Sequence, residues 1–338
     1  MNDSTSAQAA RSPSHGLEAP ARRPRGSRRL FLLALVACGV TWLMLLIGGT
    51  VNPTGSSLAC PDWAFTWGFI PLCHGQVLPP MTDGVEYEHG HRLWGWLVGL
   101  LTVAIAAWCL LDRAVAARTR AMAAFAVLLV IVQGTLGGVT VLVGLDPILS
   151  TAHLLLGYLF LALLVVIAWR LHPARRTDPT AGRALPRALL GVGLALILIQ
   201  ATLGGAIRHY GAGMICGDDW LACGHAGLWP DLGLARLHML HRFLGYAVLA
   251  AVIVIAIRAA ARARAAGRPG VARLARLLLG LTALQVLLGV LTVAMGKDLV
   301  IVTLHTAIGG LLVAVCVALI LGFGPLGDPA VGPRKAAT

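Results

Sequence analysis

Eight predominantly apolar stretches of about twenty residues, separated by segments rich in Arg, Gly, Pro and polar residues, set the pattern of this chain. They run from about Leu30 to Gly49, Gly90 to Leu111, Met122 to Gly144, Ile148 to Trp169, Ala188 to Ile207, Leu237 to Ile257, Leu277 to Met295 and Leu299 to Gly322. Each is long enough to cross a hydrocarbon layer of ~30 Å as a helix. The pattern predicts an all-α membrane protein with eight transmembrane helices. The first stretch is too long, too far from the terminus and too poor in small-residue cleavage signals for a removed signal peptide, so it is expected to stay in the membrane.

Composition sharpens this. Of the 338 residues 58% are hydrophobic and 12% charged, against roughly 25% charged in soluble domains, which excludes a cytosolic enzyme, a disordered chain and a small disulfide-rich module. The net charge of +13 does not point to nucleic acid, because the basic residues flank apolar spans. Of the 27 Lys and Arg residues, 22 fall before the first span, after the last, or in alternate connections, and nine of the 14 acids fall in the other connections. The positive-inside rule then predicts that both termini are cytoplasmic.

The two halves repeat at chemically unusual positions. Gly49 precedes Cys60 by 11 residues, as Gly205 precedes Cys216; Cys73 precedes His91-Arg92 by 18, as Cys223 precedes His241-Arg242. Gln133 and Thr140 stand 20 and 13 residues before His153, as Gln285 and Thr292 stand before His305. An even number of spans per copy keeps the orientation, so two parallel-repeat four-helix bundles are expected. The expected divisions are a basic cytoplasmic tail (1–29), an N-terminal four-helix unit (30–170), a cytoplasmic linker (171–187), a C-terminal unit (188–323) and a cytoplasmic tail (324–338).

Each even-numbered span carries a histidine near its start: His91, His153, His241 and His305. Intramembrane ionisable residues are costly and face partners inside a bundle, and neutral imidazole ligates metal and haem iron. One macrocycle held between His91 and His153, and another between His241 and His305, fits better than zinc, which favours Cys or carboxylate co-ligands. His238, three residues before His241, competes with it on geometry, and only the repeat favours His241. Position 238 matches Glu88 in the first half, a carboxylate one turn from a ligand and suited to acid/base work. Arg92 and Arg242 could reach the edge of a macrocycle and pair with its propionates, or snorkel to lipid headgroups. Glu86 and His89 read as solvated loop. Cys38, Cys109 and Cys316 read as packing residues, while Cys60 with Cys73 and Cys216 with Cys223 are expected to form disulfides on the oxidising outer side. The aromatic stretch holding Trp63, Phe65, Trp67 and Phe69 reads as an amphipathic lid.

The run Thr54-Gly-Ser-Ser-Leu-Ala-Cys60-Pro-Asp-Trp63, the later Cys73-His-Gly-Gln, the Glu88-x-x-His91-Arg92 motif and His238-Met-Leu-His241-Arg242 together resemble the haem A synthase family, over about Leu30 to Gly322. The resemblance implies a multi-pass enzyme of the cell membrane that oxidises a ring methyl of haem O to the formyl group of haem A, for terminal oxidases. It places substrate haem at His91 and His153, haem b as cofactor at His241 and His305, and a chemical role at Glu88. The partners implied are haem O, a haem O synthase as donor and membrane lipid; no nucleic acid is expected, and homo-oligomers are compatible. The loop between Cys60 and Cys73 is longer than the family's usual one. A di-haem electron carrier of the quinol-linked type is the alternative, and a parallel-repeat transporter using its histidines for protons or metal a third.

Overall fold

The computed structural model describes residues 26–63, 71–173, 187–231 and 233–323. Among them are eight long helices: α1 (Gly26–Val51), α2 (Val85–Leu111), α3 (Ala117–Leu142), α4 (Pro147–Leu171), α5 (Arg187–His209), α6 (Gly233–Ala265), α7 (Pro269–Ala294) and α8 (Leu299–Gly322). All eight are long and apolar enough to cross a membrane. The described residues contain no strand beyond an isolated bridge between Cys73 and Gln76.

The helices outrun their apolar cores at defined places. Residues 26–29, expected in the tail, form the start of α1. Helix α2 begins at Val85, after Gly84 at φ 92°, so Glu86, Glu88 and His89 belong to its first turns; carboxylates there complement the helix dipole. Helix α6 continues past Ile257 through an Ala- and Arg-rich extension of strong helix formers, and ends before Gly267 at φ 67°. Helices α4 and α8 start alike: Asp146 accepts from the N–H groups of Ile148 and Leu149, and Asp298 from those of Val300 and Ile301. These N-caps explain two of the acids that the sequence places in the loops. The remaining tail residues, the linker over 174–186 and the aromatic positions Phe65, Trp67 and Phe69 lie outside the described residues.

Each helix packs on its neighbours in two closed sets of four, α1 to α4 and α5 to α8, which meet where α8 lies against α1 and α4 and where α5 lies against α4. With no water inside a bilayer, helix association rests on close packing and interhelical hydrogen bonds. Both are present at this seam. The Trp42 indole donates to the Ala307 carbonyl at 3.0 Å, the Tyr158 hydroxyl to the Thr306 carbonyl at 2.5 Å, and Arg208 to the Thr306 hydroxyl and the Gly49 carbonyl at 2.9 Å each. Gly310 brings α8 close to Leu45 and Tyr158. The seam aligns the histidine-bearing ends of the two sets.

Candidate functional site

His91 on α2 and His153 on α4 face each other across the first set, with ring centres 6.5 Å apart and planes at 84°. A metal–imidazole bond is about 2 Å long; two such bonds, with the short distance from each nitrogen to its ring centre added, come to roughly 6 Å. The spacing therefore suits one iron held axially between the rings. In the second set His241 and His305 line one cavity together.

All four histidines are seated by one local device. A Cβ added at Gly48 would stand 2.6 Å from the His91 ring, at Gly137 2.8 Å from His153, at Gly204 2.9 Å from His241, and at Gly289 3.1 Å from His305. Glycine lets the Cε1 edge of the imidazole come up against the backbone of the neighbouring helix. Four residues before three of these glycines stand Gln133, Gln200 and Gln285, whose amides donate at 2.9 Å to the backbone carbonyls of His153, His241 and His305. Met44 holds that position beside His91. Four residues after each histidine comes another glycine, Gly95, Gly157, Gly245 or Gly309, which leaves room for that Gln or Met side chain. The sequence thus carries a Gln/Met-x-x-x-Gly and His-x-x-x-Gly hairpin four times, a finer repeat than the two halves and the signal that finds Gln200 and the glycines. His238, 4% exposed and lining the second cavity, faces no such glycine.

Around this common plan the halves differ. Arg92 donates through Nη1 to the carbonyls of Asp62 and Leu72, and through Nη2 to the Cys60 carbonyl and Glu88. Three of its four terminal N–H groups are thereby used on the first loop and the fourth on Glu88 of the same helix, so all four are engaged within the protein. Arg242 donates to the matching carbonyl, Ala222, at 2.8 Å, while its Nε and Nη2 are buried without a protein partner. Those two donors, in the wall of the second cavity, fit an anionic group such as a propionate. Glu88 is not a solvated loop-end acid: 4% exposed, it takes the Cys60 N–H at 2.8 Å and pairs with Arg92. His89 corrects the solvated-loop expectation too, since it is fully buried with Nε2 2.8 Å from the Val77 carbonyl. Glu86 remains exposed beside the Gly84 N–H.

The cysteines pair as Cys60–Cys73 and Cys216–Cys223, and Cys38, Cys109 and Cys316 are free. Each disulfide loop is braced by an aspartate. Burial opposes the charge on Asp62, but the N–H groups of Gly75 and His74, with Arg92 nearby, hold its carboxyl below the usual value. The N–H groups of Ala222 and Leu221 do the same for Asp219. Trp63 folds from the first loop onto α3, where a Cβ at Gly138 would collide with its indole.

The cavity holding His91, His153, Glu88 and Arg92 measures about 1000 Å³ and that holding His241, His305 and Arg242 about 440 Å³. Asn52, Leu154, Arg208 and Thr306 line both, so the two spaces share one wall. Arg208, which sequence spacing does not single out, stands in that wall.

The profile of the family COX15-CtaA, cytochrome oxidase assembly protein, matches residues 31–317. The chain belongs to this family. Its relatives include the haem A synthases of Shewanella oneidensis, 30% identical over 82% of this chain and 92% of that protein, and of Symbiobacterium thermophilum, 31% identical over 83% and 91%. The haem A synthase of Rhizorhabdus wittichii is 29% identical over 88% of this chain and 93% of its own length. The match to the cytochrome oxidase assembly family spans both cavities and all four histidines.

Proposed function

We propose that this multi-pass membrane protein is a haem A synthase, oxidising the ring methyl of haem O to the formyl group of haem A. The observation that carries the reading is the pair His91 and His153, seated face to face in the larger cavity with Glu88 in its wall. The first set of helices holds the substrate: the two imidazoles take its iron, and their glycine seats fix the macrocycle plane. Glu88 presents the only carboxylate in the described lining of that cavity, positioned to hold a proton or stabilise developing positive charge at the reacting edge.

The second set is the site of a resident haem b. His241 and His305 would hold its iron, and the free donors of Arg242 would take a propionate. Haem b supplies one-electron transfer when bound. The residues of the chain keep it in place: the glutamine–carbonyl bonds fix both helix segments, and the apolar lining excludes water. The shared wall keeps the two sites adjacent. His238 is a wall residue in this reading.

By the distribution of basic residues, the protein lies in the cell membrane with both termini in the cytoplasm and both disulfide loops outside. The two four-helix units are taken as 30–170 and 188–323. A haem O synthase in the same membrane supplies the substrate. An electron carrier that modifies nothing has no use for one cavity more than twice the size of its counterpart, so the di-haem carrier is the weaker account. The test is to co-express the chain with a haem O synthase in a host lacking haem A, and to extract the pigments. Haem A or its alcohol precursor is the expected product; haem O alone, from protein that carries its haem b spectrum, overturns the proposal.

A further inference from the structure

The first cavity does not end at the histidines. It runs along α2 past Gly99 and Leu100 to Val103, and along α3 past Gly134 and Ile131 to Val127. From His91 to Val103 is twelve residues, so this extension is about 18 Å long at 1.5 Å per residue. Its lining is apolar, and Leu100, Val103 and Ile131 are 47%, 50% and 59% exposed on the outside of the bundle. The extension is therefore a slot that opens sideways between α2 and α3. A Cβ at Gly99 or Gly134 meets nothing within 4 Å, so the glycines leave real space there.

In the second half the matching extension is shorter. By the spacing that matches His91 to His241 and His153 to His305, Gly99 corresponds to Leu249 and Gly134 to Val286. The smaller cavity passes Val286 on α7 but stops near Thr282, and on α6 it stops near Val248, one position short of Leu249. The difference between the cavities is thus local: the histidine seats are shared, and what the first adds is a long, apolar, laterally open channel leading away from the iron position.

We infer that the slot between α2 and α3, held open by Gly99 and Gly134, receives the isoprenoid chain of the substrate haem, and that Leu249, standing where the first half has Gly99, shortens the matching space in the second half. The inference rests on the proposed haem O substrate, whose farnesyl-type chain distinguishes it from haem b. A hydrocarbon chain gains about 0.8 kcal/mol per buried methylene, so the slot turns the chain into affinity and selectivity. Its lateral opening also lets a lipid-soluble substrate enter from the bilayer without its chain crossing water.

The experiment is an optical titration of the purified, haem b-loaded protein with haem O and with protohaem, which lacks the chain, using the wild type, Gly99→Leu, Gly134→Val and the milder Gly134→Ala. The wild type is expected to bind haem O more tightly. Gly99→Leu and Gly134→Val should weaken haem O binding by roughly a hundred-fold, the loss of three or four buried methylenes, and leave protohaem binding within a factor of about two, with the b-type spectrum intact. Equal losses for both haems, or none for haem O, overturn the inference. If the larger variants lose the b-type spectrum, Gly134→Ala decides by the same ratio. A wild type that makes haem A yet binds both haems equally refutes the slot and spares the proposed function; a wild type that makes no haem A refutes that function whatever the titration shows.

Discussion

Glu88 and Arg92, one turn apart on α2, form a 2.6 Å ion pair whose carboxylate also receives the Cys60 N–H. The pair ties the first disulfide loop to the mouth of the larger cavity. The second half keeps the arginine, Arg242, but has His238 in place of the carboxylate, and Arg242 retains two buried, unpartnered donors. The same scaffold thus spends one arginine on a loop and leaves the other open to a ligand.

Glu88→Gln separates anchoring from chemistry. The amide oxygen can still accept the Cys60 N–H, while the charge beside the cavity is lost. Haem A formation should fall about 10²–10⁴-fold, with the b-type spectrum and the Cys60–Cys73 disulfide retained. Normal formation of haem A in this variant would reduce Glu88 to a loop anchor.

The glycine seats predict which variants disturb which site. Gly204→Ala and Gly289→Ala put a methyl 2.9 and 3.1 Å from the His241 and His305 rings. Overpacking of this kind costs about 1–3 kcal/mol, so both should weaken haem b retention and alter its low-temperature absorption. Gly137→Ala should leave that spectrum unchanged and impair only haem O binding. A change of the b-type spectrum in Gly137→Ala contradicts the assignment of seats to halves.

Arg242→Gln should loosen haem b by about ten- to a hundred-fold, since charge-assisted hydrogen bonds contribute roughly 1.5–3 kcal/mol each. Arg92→Gln should instead free the loop it binds, read as faster reduction of Cys60–Cys73 by a mild thiol, with haem b retained. Equal haem b loss in both variants would mean that the arginines do the same work.

The carboxyls bracing the loops give a pH signature. Asp62 has its folded-state value lowered from 3.8, so its contribution is complete above that value and is lost as the pH falls through the folded-state value. Protease sensitivity of the first loop should therefore be flat from neutral pH down to about 4 and rise only in stronger acid. In Asp62→Asn that acid dependence should be smaller. A loop that loosens between pH 5 and 7 would contradict this.

The eight spans are legible in the sequence because a bilayer demands long apolar runs, and the four histidines because ionisable residues are rare inside them. The start of α2 is not, since Glu86, Glu88 and His89 make its first turns look like loop. The burial of Glu88 and His89 depends on Cys60 and Val77 folding back over them, a contact that no local pattern encodes. The unequal arginines are partly hidden for the same reason: the sequence shows Glu88 beside Arg92 where the second half has His238, but the loop carbonyls that take the other donors of Arg92 are set by the loop path. The glycine seats were written in the chain as a fourfold spacing, but glycine is too common in membrane helices for one copy to stand out.

The central claim is that two similar histidine pairs hold haems with different fates, one converted and one retained. His153→Ala and His305→Ala test it together, each purified after co-expression with a haem O synthase and read for b-type absorption and for extracted pigment. The account predicts that His153→Ala keeps the b-type absorption and yields no haem A, whereas His305→Ala loses the b-type absorption. Loss of the b-type absorption in His153→Ala with its retention in His305→Ala would exchange the roles of the two halves and contradict the account.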